Sequence, residues 1–250
     1  MLRLHGVPLS QPFRSVAWGL LQHKIPFKVE ICVPGSTAKA GSRAEPFLSK
    51  GFGALGNVPM IEEPSSGFTL AESPAILSYL AETQQWGMLP TSADDRAKVS
   101  SFMHWHHSGT RTLASVFANY VRADKRCSAE ELEQRMAKAS ATLATVETVW
   151  LADAPFLAGQ PHATVADLLA YEEVVQMRPE YLNLGIDFEP LPKVRAWCDR
   201  MRALPFHDEA HTALAVLGDL RTPSDVSMAK RLGEATKAAL KAITAAQVAY

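Results

Sequence analysis

Apolar and polar side chains alternate from Met1 to His5, the two-residue period of a strand with one covered face. From Pro12 to His23 the period lengthens, and Phe13, Val16, Ala17, Leu20 and Leu21 gather on one side of a helix. Phe27 to Val33 reads as a second strand, with Lys28 and Glu30 turned to water. Residues 34–57, rich in Gly, Ser and Ala, carry no clear period. Val58–Glu62 and Phe68–Ala71 predict two short strands around a turn carrying Pro64 and Gly67. A helix follows, with Ser73 as its cap and Pro74 in the first helical position, where a missing N–H costs little. The order β-α-β-irregular-β-β-α describes a small α/β unit.

After Gly87, Pro90 and Ser92 the strand signals nearly vanish. Helical periods run over 94–122, 129–152, 164–178, 191–204 and 207–219, and more weakly over 225–247. In the second of these, Leu132, Met136, Ala139, Leu143, Val146 and Trp150 recur at steps of three and four. The chain therefore divides into an α/β domain over 1–85 and an all-helical domain over 94–250, the latter ending in a C-terminal extension. The overall class is α+β. No repeat of fixed period is present.

Composition narrows the function. The 250 residues are 47% apolar and 20% charged, with a formal net charge of −1. No global field draws in nucleic acid or an anionic membrane. No run of about eighteen apolar residues predicts a membrane span, and Met-Leu-Arg-Leu-His-Gly-Val-Pro does not read as a signal peptide. Cys32, Cys127 and Cys198 are far apart and form no C-x-x-C pair. They are expected as free thiols in a reducing, cytoplasmic setting.

Three short motifs can carry chemistry. In Leu9-Ser10-Gln11-Pro12, Pro12 at the first helical position would make Gln11 the cap and leave the Ser10 hydroxyl free at the positive end of the helix. Alternatively Ser10 is itself the cap. In Asn57-Val58-Pro59-Met60, a cis bond would turn the Val58 backbone outward to pair with an extended peptide. A trans proline at a strand edge is the commoner arrangement. In Glu72-Ser73-Pro74, a helix N-terminus beside a carboxylate offers both signs of charge, as an α-amino acid head group needs. A plain capped helix is the alternative.

In the first helix of the second domain, His104, His107, Ser108 and Arg111 fall at i, i+3, i+4 and i+7 as one polar stripe. No nearby Cys or Glu completes a metal ligand set, and none is expected. Gly51-Phe52-Gly53-Ala54-Leu55-Gly56 spells a dinucleotide fingerprint, but Pro59 and a strand follow where a helix must open, which argues against nucleotide binding.

Taken in order, these motifs closely resemble the N-terminal domain of glutathione transferases, a thioredoxin-like fold. Downstream, Phe156-Leu157-Ala158-Gly159 followed by Thr164-Val165-Ala166-Asp167 is similar to the family's capping box and hydrophobic staple, with Ala163 packing on Leu168. A serine in Leu-Ser-Gln-Pro-x-Arg, a long C-terminal extension and the Trp105-x-His107-x-x-x-Arg111 helix look theta-like. The resemblance spans roughly residues 1–220.

The resemblance implies glutathione as co-substrate, a small electrophile as partner and a homodimer. It places Ser10 and Arg111 at the sulfur, Val58 with Pro59 against the cysteinyl backbone, and Glu72 with Ser73 at the γ-glutamyl end. The family's usual cations for the glycyl carboxylate are replaced here by Gly56-Asn57 and, in the preceding loop, by Ser42-Arg43. Arg43 is the candidate replacement. Leu214, Val216, Leu217 and Leu220 are expected to shape an apolar pocket, with the 225–247 helix as a lid or, equally, a free tail. A thiol–disulfide enzyme on this fold would need a cysteine near position 10, and none is there. A non-catalytic glutathione-binding scaffold is the remaining alternative.

Overall fold

The computed structural model describes residues 1–249. Strand β1 (Leu2–Gly6) leads through helix α1 (Gln11–Gln22) to a parallel partner, β2 (Phe27–Ile31), in register Leu2↔Phe27 to Gly6↔Ile31. On its other side β1 pairs antiparallel with β3 (Met60–Glu63), and β3 with β4 (Phe68–Ala71). The sheet order is β2-β1-β3-β4. Register sorts the side chains by face. Leu4 opposite Ile61 joins the main core, whereas Met60, opposite His5, packs with Cys32 and Phe47 on the other side.

Helix α2 (Ser73–Thr83) closes the α/β part, and the rest is helical. Helix α3 (Ala93–His106) is followed by a 3-10 turn over Thr110–Leu113 and by α4 (Ala114–Val121). The single period expected over 94–122 is thus broken. Gly109 sits at φ −99°, ψ −110°, outside the helical region, and the Trp105 ring lies 2.5 Å from where a Cβ would be. Only glycine lets the chain turn there. Helix α5 (Ala129–Thr145) runs into a π turn over Val146–Trp150, which ends the predicted 129–152 helix one register out. Helices α6 (Val165–Val175), α7 (Pro192–Arg202), α8 (His207–Leu217) and α9 (Met228–Val248) complete the chain.

Helix α1 is the joint between the two parts. Its Phe13, Val16 and Leu20 are buried in one core with Leu4 and Ile61 of the sheet, while Trp18, fully buried, packs on Tyr171 of α6 and on His207 and His211 of α8. Trp18 also donates to the Pro205 carbonyl at 2.8 Å. Helix α6, nearly all of it buried, is fixed at its start by the predicted capping box: the Asp167 carboxylate accepts from the Thr164 N–H at 2.8 Å. The same carboxylate accepts from Leu157 N–H and Trp197 Nε1, both at 2.9 Å, so one buried acid locks three segments. One core therefore runs from the sheet through α1 into α6.

Candidate active site

Ser10 is the N-cap residue of α1, with extended φ/ψ of −76° and 126°, and Gln11 is the first helical residue. Of the two arrangements open to the sequence, the cap position therefore falls to Ser10 and not to Gln11. Yet the hydroxyl makes no capping bond. A capping side chain bonds the second or third N–H of the helix, and the second position here is Pro12, which has none. Ser10 thus holds the cap position by its backbone, its carbonyl accepting from Arg14 N–H at 2.9 Å. Its half-buried hydroxyl has no partner among the described residues and lines a cavity.

Two cavities meet at this helix end. The smaller, about 300 Å³, is lined by Asn57, Val58, Pro59, Glu72, Ser73 and Arg111, with His106 and His107 on the helical side. The larger, about 790 Å³, takes in Leu9, Ser10, Val58 and Arg111. Pro34, Gly35, Val58 and Arg111 belong to the walls of both, so the cleft is shared. Its mouth lies between the sheet end of the α/β part and the α3–α4 break.

The Val58–Pro59 bond is cis, the less common of the two arrangements open to the sequence. Among the described residues the Val58 backbone N–H and C=O make no hydrogen bond, which leaves both available at the cleft wall. Glu72, not Ser73, is the N-cap of α2; Ser73 is its first residue and Pro74 its second. Glu72 adopts φ 69°, a conformation L-residues avoid and one that costs on the order of 1–3 kcal/mol. Glu72, which is exposed, and Ser73, at the start of α2, both line the smaller cavity.

Arg111 sits on the break between α3 and α4. Its Nη1 donates to Glu173 Oε1 at 2.7 Å and to Gln11 Oε1 at 3.4 Å, and its side chain remains 39% exposed. Glu173 holds the guanidinium charged, above its ordinary value, against the burial that opposes it. Gln11 in turn donates to Gln176 at 2.8 Å. A buried polar chain therefore links the first residue of α1 to the α3–α4 break through α6. His106 is buried, with Nδ1 2.7 Å from Thr110 Oγ1. Burial first, then the charge of Arg111 and neighbouring His107, pushes its imidazole down to about 3, so it brings no charge to the cleft near neutral pH.

The loop over 34–57 is held by Ser42, fully buried, whose hydroxyl donates to the Gly56 carbonyl at 2.7 Å and accepts from Gly35 N–H at 2.9 Å. Both glycines line the smaller cavity. Arg43, the sequence candidate for a carboxylate anchor, is exposed and does not line it. Its stem runs beside Gly56, with Cγ 3.5 Å from the position of a Cβ there. Leu214, Leu217 and Leu220 are core residues and Val216 is exposed, so the apolar stretch expected to shape the pocket does not reach it. That role falls to α4 through Phe117 and Val121, and to α9 through Leu232 and Thr236. The 225–247 segment is not a free tail, and residues of α9 form part of the wall of the larger cavity. Helix α9 packs on α8, Arg231 donates to the carbonyls of Leu217 and Asp219, and the Phe27 N–H donates to Gln247 at 2.8 Å. His107, part of the predicted polar stripe, lines the cleft with Arg111, whereas His106 lies outside that stripe because unbroken helical spacing would point it away from Arg111.

Comparison with known proteins agrees with this geometry. Residues 4–86 match the family described as the glutathione S-transferase N-terminal domain. Mouse glutathione S-transferase theta-1 is 30% identical over 247 residues, covering 93% of this chain and 96% of that one. Human glutathione transferase theta-2, solved with glutathione and an unknown ligand, superposes with a TM-score of 0.74 at 28% identity, covering 98% of this chain and 99% of that one. A human theta-class enzyme solved with the glutathione conjugate of 1-menaphthyl sulfate gives 0.74 at 29% identity, over 97% and 98%. With its thioredoxin-like sheet and helical second part, the chain belongs to the glutathione S-transferase family and is theta-like within it.

Proposed function

We propose that this protein transfers the glutathione thiolate to small electrophiles, with Ser10 as the group that stabilises the thiolate. The observation that carries this reading is the uncommitted Ser10 hydroxyl at the α1 N-terminus, in a cleft shared by a polar and an apolar cavity. A cysteine-type thiol titrates near 8.5, so only a few per cent is thiolate at neutral pH. Lowering that value by about two units corresponds to roughly 2.7 kcal/mol. A hydroxyl donor, the positive end of a helix and a guanidinium all act in that direction.

In this scheme the peptide part of glutathione fills the smaller cavity. Val58 pairs with the cysteinyl backbone beside Pro59 and Asn57, while Glu72 with Ser73 takes the γ-glutamyl end. Arg111 supplies positive potential near the sulfur. The electrophile occupies the larger cavity beneath α9, and no covalent bond to Ser10 is formed. Isothermal calorimetry with glutathione, paired with a conjugation assay on a benzylic halide, tests the whole reading. No heat at several millimolar glutathione would remove it.

Truncation sorts the binding residues. Glu72→Ala should weaken glutathione by about 1.5–3 kcal/mol, because a charge-assisted contact is lost. Arg43→Ala, at the rim, should cost no more than about 1 kcal/mol and less at high salt. Equal losses from the two changes would mean that Arg43 swings into the cavity.

The reading extends to residues 1–85 as the glutathione-binding domain, 94–250 as the helical domain, and a homodimer working in detoxification in the cytoplasm. Burial pushes the thiols of Cys32 and Cys198 up to about 11 and about 12, which suits unreactive cysteines. Small-angle scattering at micromolar concentration should give a dimer mass, and a monomer would count against that part.

A further inference from the structure

The larger cavity has an unusual balance of charge. Its walls are apolar where α4 and α9 face each other, through Phe117, Val121 and Leu232, and no Asp or Glu lines it. Its ionised lining groups are Arg111, Arg122 and Lys237, all cations. Two of the three are neutralised from behind. Arg111 pairs with Glu173 at 2.7 Å, and Arg122 donates two hydrogen bonds to Asp124, at 3.1 and 2.8 Å. Lys237, exposed on α9, has no carboxylate or other partner among the described residues. The nearest acid on its own helix, Glu234, faces Lys230 instead.

Space accompanies the charge. Gly233 lies four residues before Lys237 and so on the same face of α9. A Cβ at Gly233 would meet nothing within 4 Å. Helix α9 thus presents an open gap beside a free ammonium, both on the wall of an apolar cavity that reaches Ser10.

We infer that Lys237 selects electrophiles that carry an anionic group on an apolar body, an aryl or alkyl carboxylate being the simplest class. The apolar walls of α4 and α9 take the body, and the Lys237 ammonium takes the carboxylate. The electrophilic carbon is left toward Ser10. This rests on the conjugation reading given above. In the step itself the glutathione sulfur forms a bond to carbon, the halide leaves with the bonding pair, and the thiol proton passes to solvent. The carboxylate is unchanged.

The test compares 4-(bromomethyl)benzoate with its methyl ester, which carry the same leaving group on the same ring. With spontaneous reaction subtracted, the acid-to-ester ratio of kcat/KM is measured for the wild type, Lys237→Met, Lys237→Glu and Lys237→Arg. The ratio should fall about three- to tenfold in Lys237→Met, as expected for a partly solvated charge pair. It should fall further in Lys237→Glu and be retained in Lys237→Arg. Calorimetry with inert 4-tert-butylbenzoate and 4-tert-butylbenzamide, in the presence of glutathione, reads the same selectivity without turnover. An unmoved ratio in Lys237→Met, or equal binding of the inert pair, overturns the inference. Selective binding of the benzoate without turnover of either bromide would sink conjugation and keep the anion site. Neither binding nor turnover would remove both.

Discussion

Ser10→Ala is expected to reduce conjugation of reactive halides at least about tenfold near pH 7 and to leave most of the glutathione affinity in place. The two effects separate because the groups assigned to the peptide, Val58, Glu72 and Ser73, stand on other elements. The apparent pKa of bound thiol, followed by thiolate ultraviolet absorbance, should rise toward the free value of about 8.5. The rate deficit should shrink as pH increases, since bulk deprotonation then needs no help. A serine that merely caps α1 behaves differently: its loss would cost about 1 kcal/mol of stability and leave the thiol pKa unmoved. Here the hydroxyl makes no capping bond, so stability should change little. Slowed turnover with an unshifted pKa would transfer the main role to Arg111, whose guanidinium lines the same cleft.

Much of the fold was readable because its signals are local. Alternation gave β1 and β2, proline positions gave the starts of α1 and α2 to within a residue, and the Thr164–Asp167 box gave the start of α6. What escaped depends on close contacts that hydrophobic periodicity does not carry. The break at Gly109 is imposed by the Trp105 ring, and a single glycine in a helical pattern does not announce a neighbour that close. The 34–57 loop is organised by Ser42, whose two partners are glycine backbones at Gly35 and Gly56. No side-chain pattern encodes that.

The site was legible as a set of residues and less so as a geometry. Ser10, Val58, Pro59, Asn57, Glu72, Ser73 and Arg111 line the shared cleft, and Arg43 does not. The resemblance could assign Arg43 by position, whereas its direction depends on how Ser42 folds the 34–57 loop onto Gly35 and Gly56. The apolar run at Leu214–Leu220 was misread for a related reason. Hydrophobicity marks burial equally well in a core and in a pocket, and here Leu214 and Leu217 hold α8 in the core.

The second large effect is expected at Arg14, which touches neither cavity. Its guanidinium is 1% exposed and donates Nε to Glu172 Oε2 at 2.6 Å, Nη2 to the Glu172 carbonyl at 3.0 Å and Nη1 to the Leu9 carbonyl at 2.8 Å. One side chain therefore joins α1 to α6 and pins the residue that precedes Ser10. Burial works against the Glu172 carboxylate, but His211 and Arg14 beside it hold it below the ordinary range. Arg14→Met would leave that carboxylate facing His211 alone, 3.1 Å away, with the Leu9 carbonyl stripped of its donor. Removing one partner of such a pair costs about 3–5 kcal/mol, a large share of a typical domain's stability. Urea unfolding should show that loss, and Arg14→Met with Glu172→Met should recover part of it, since the buried charge is then gone. The sign with pH follows from the lowered carboxyl. The wild-type pair stabilises fully above about pH 4.3, the unfolded value, and its contribution disappears as pH falls through the folded value. Arg14→Met should therefore lose less relative to wild type in acid than at neutrality. A loss below about 1 kcal/mol at pH 7 would show that water or a shifted His211 replaces the guanidinium, and Leu9 would then need another anchor to keep Ser10 at the cleft.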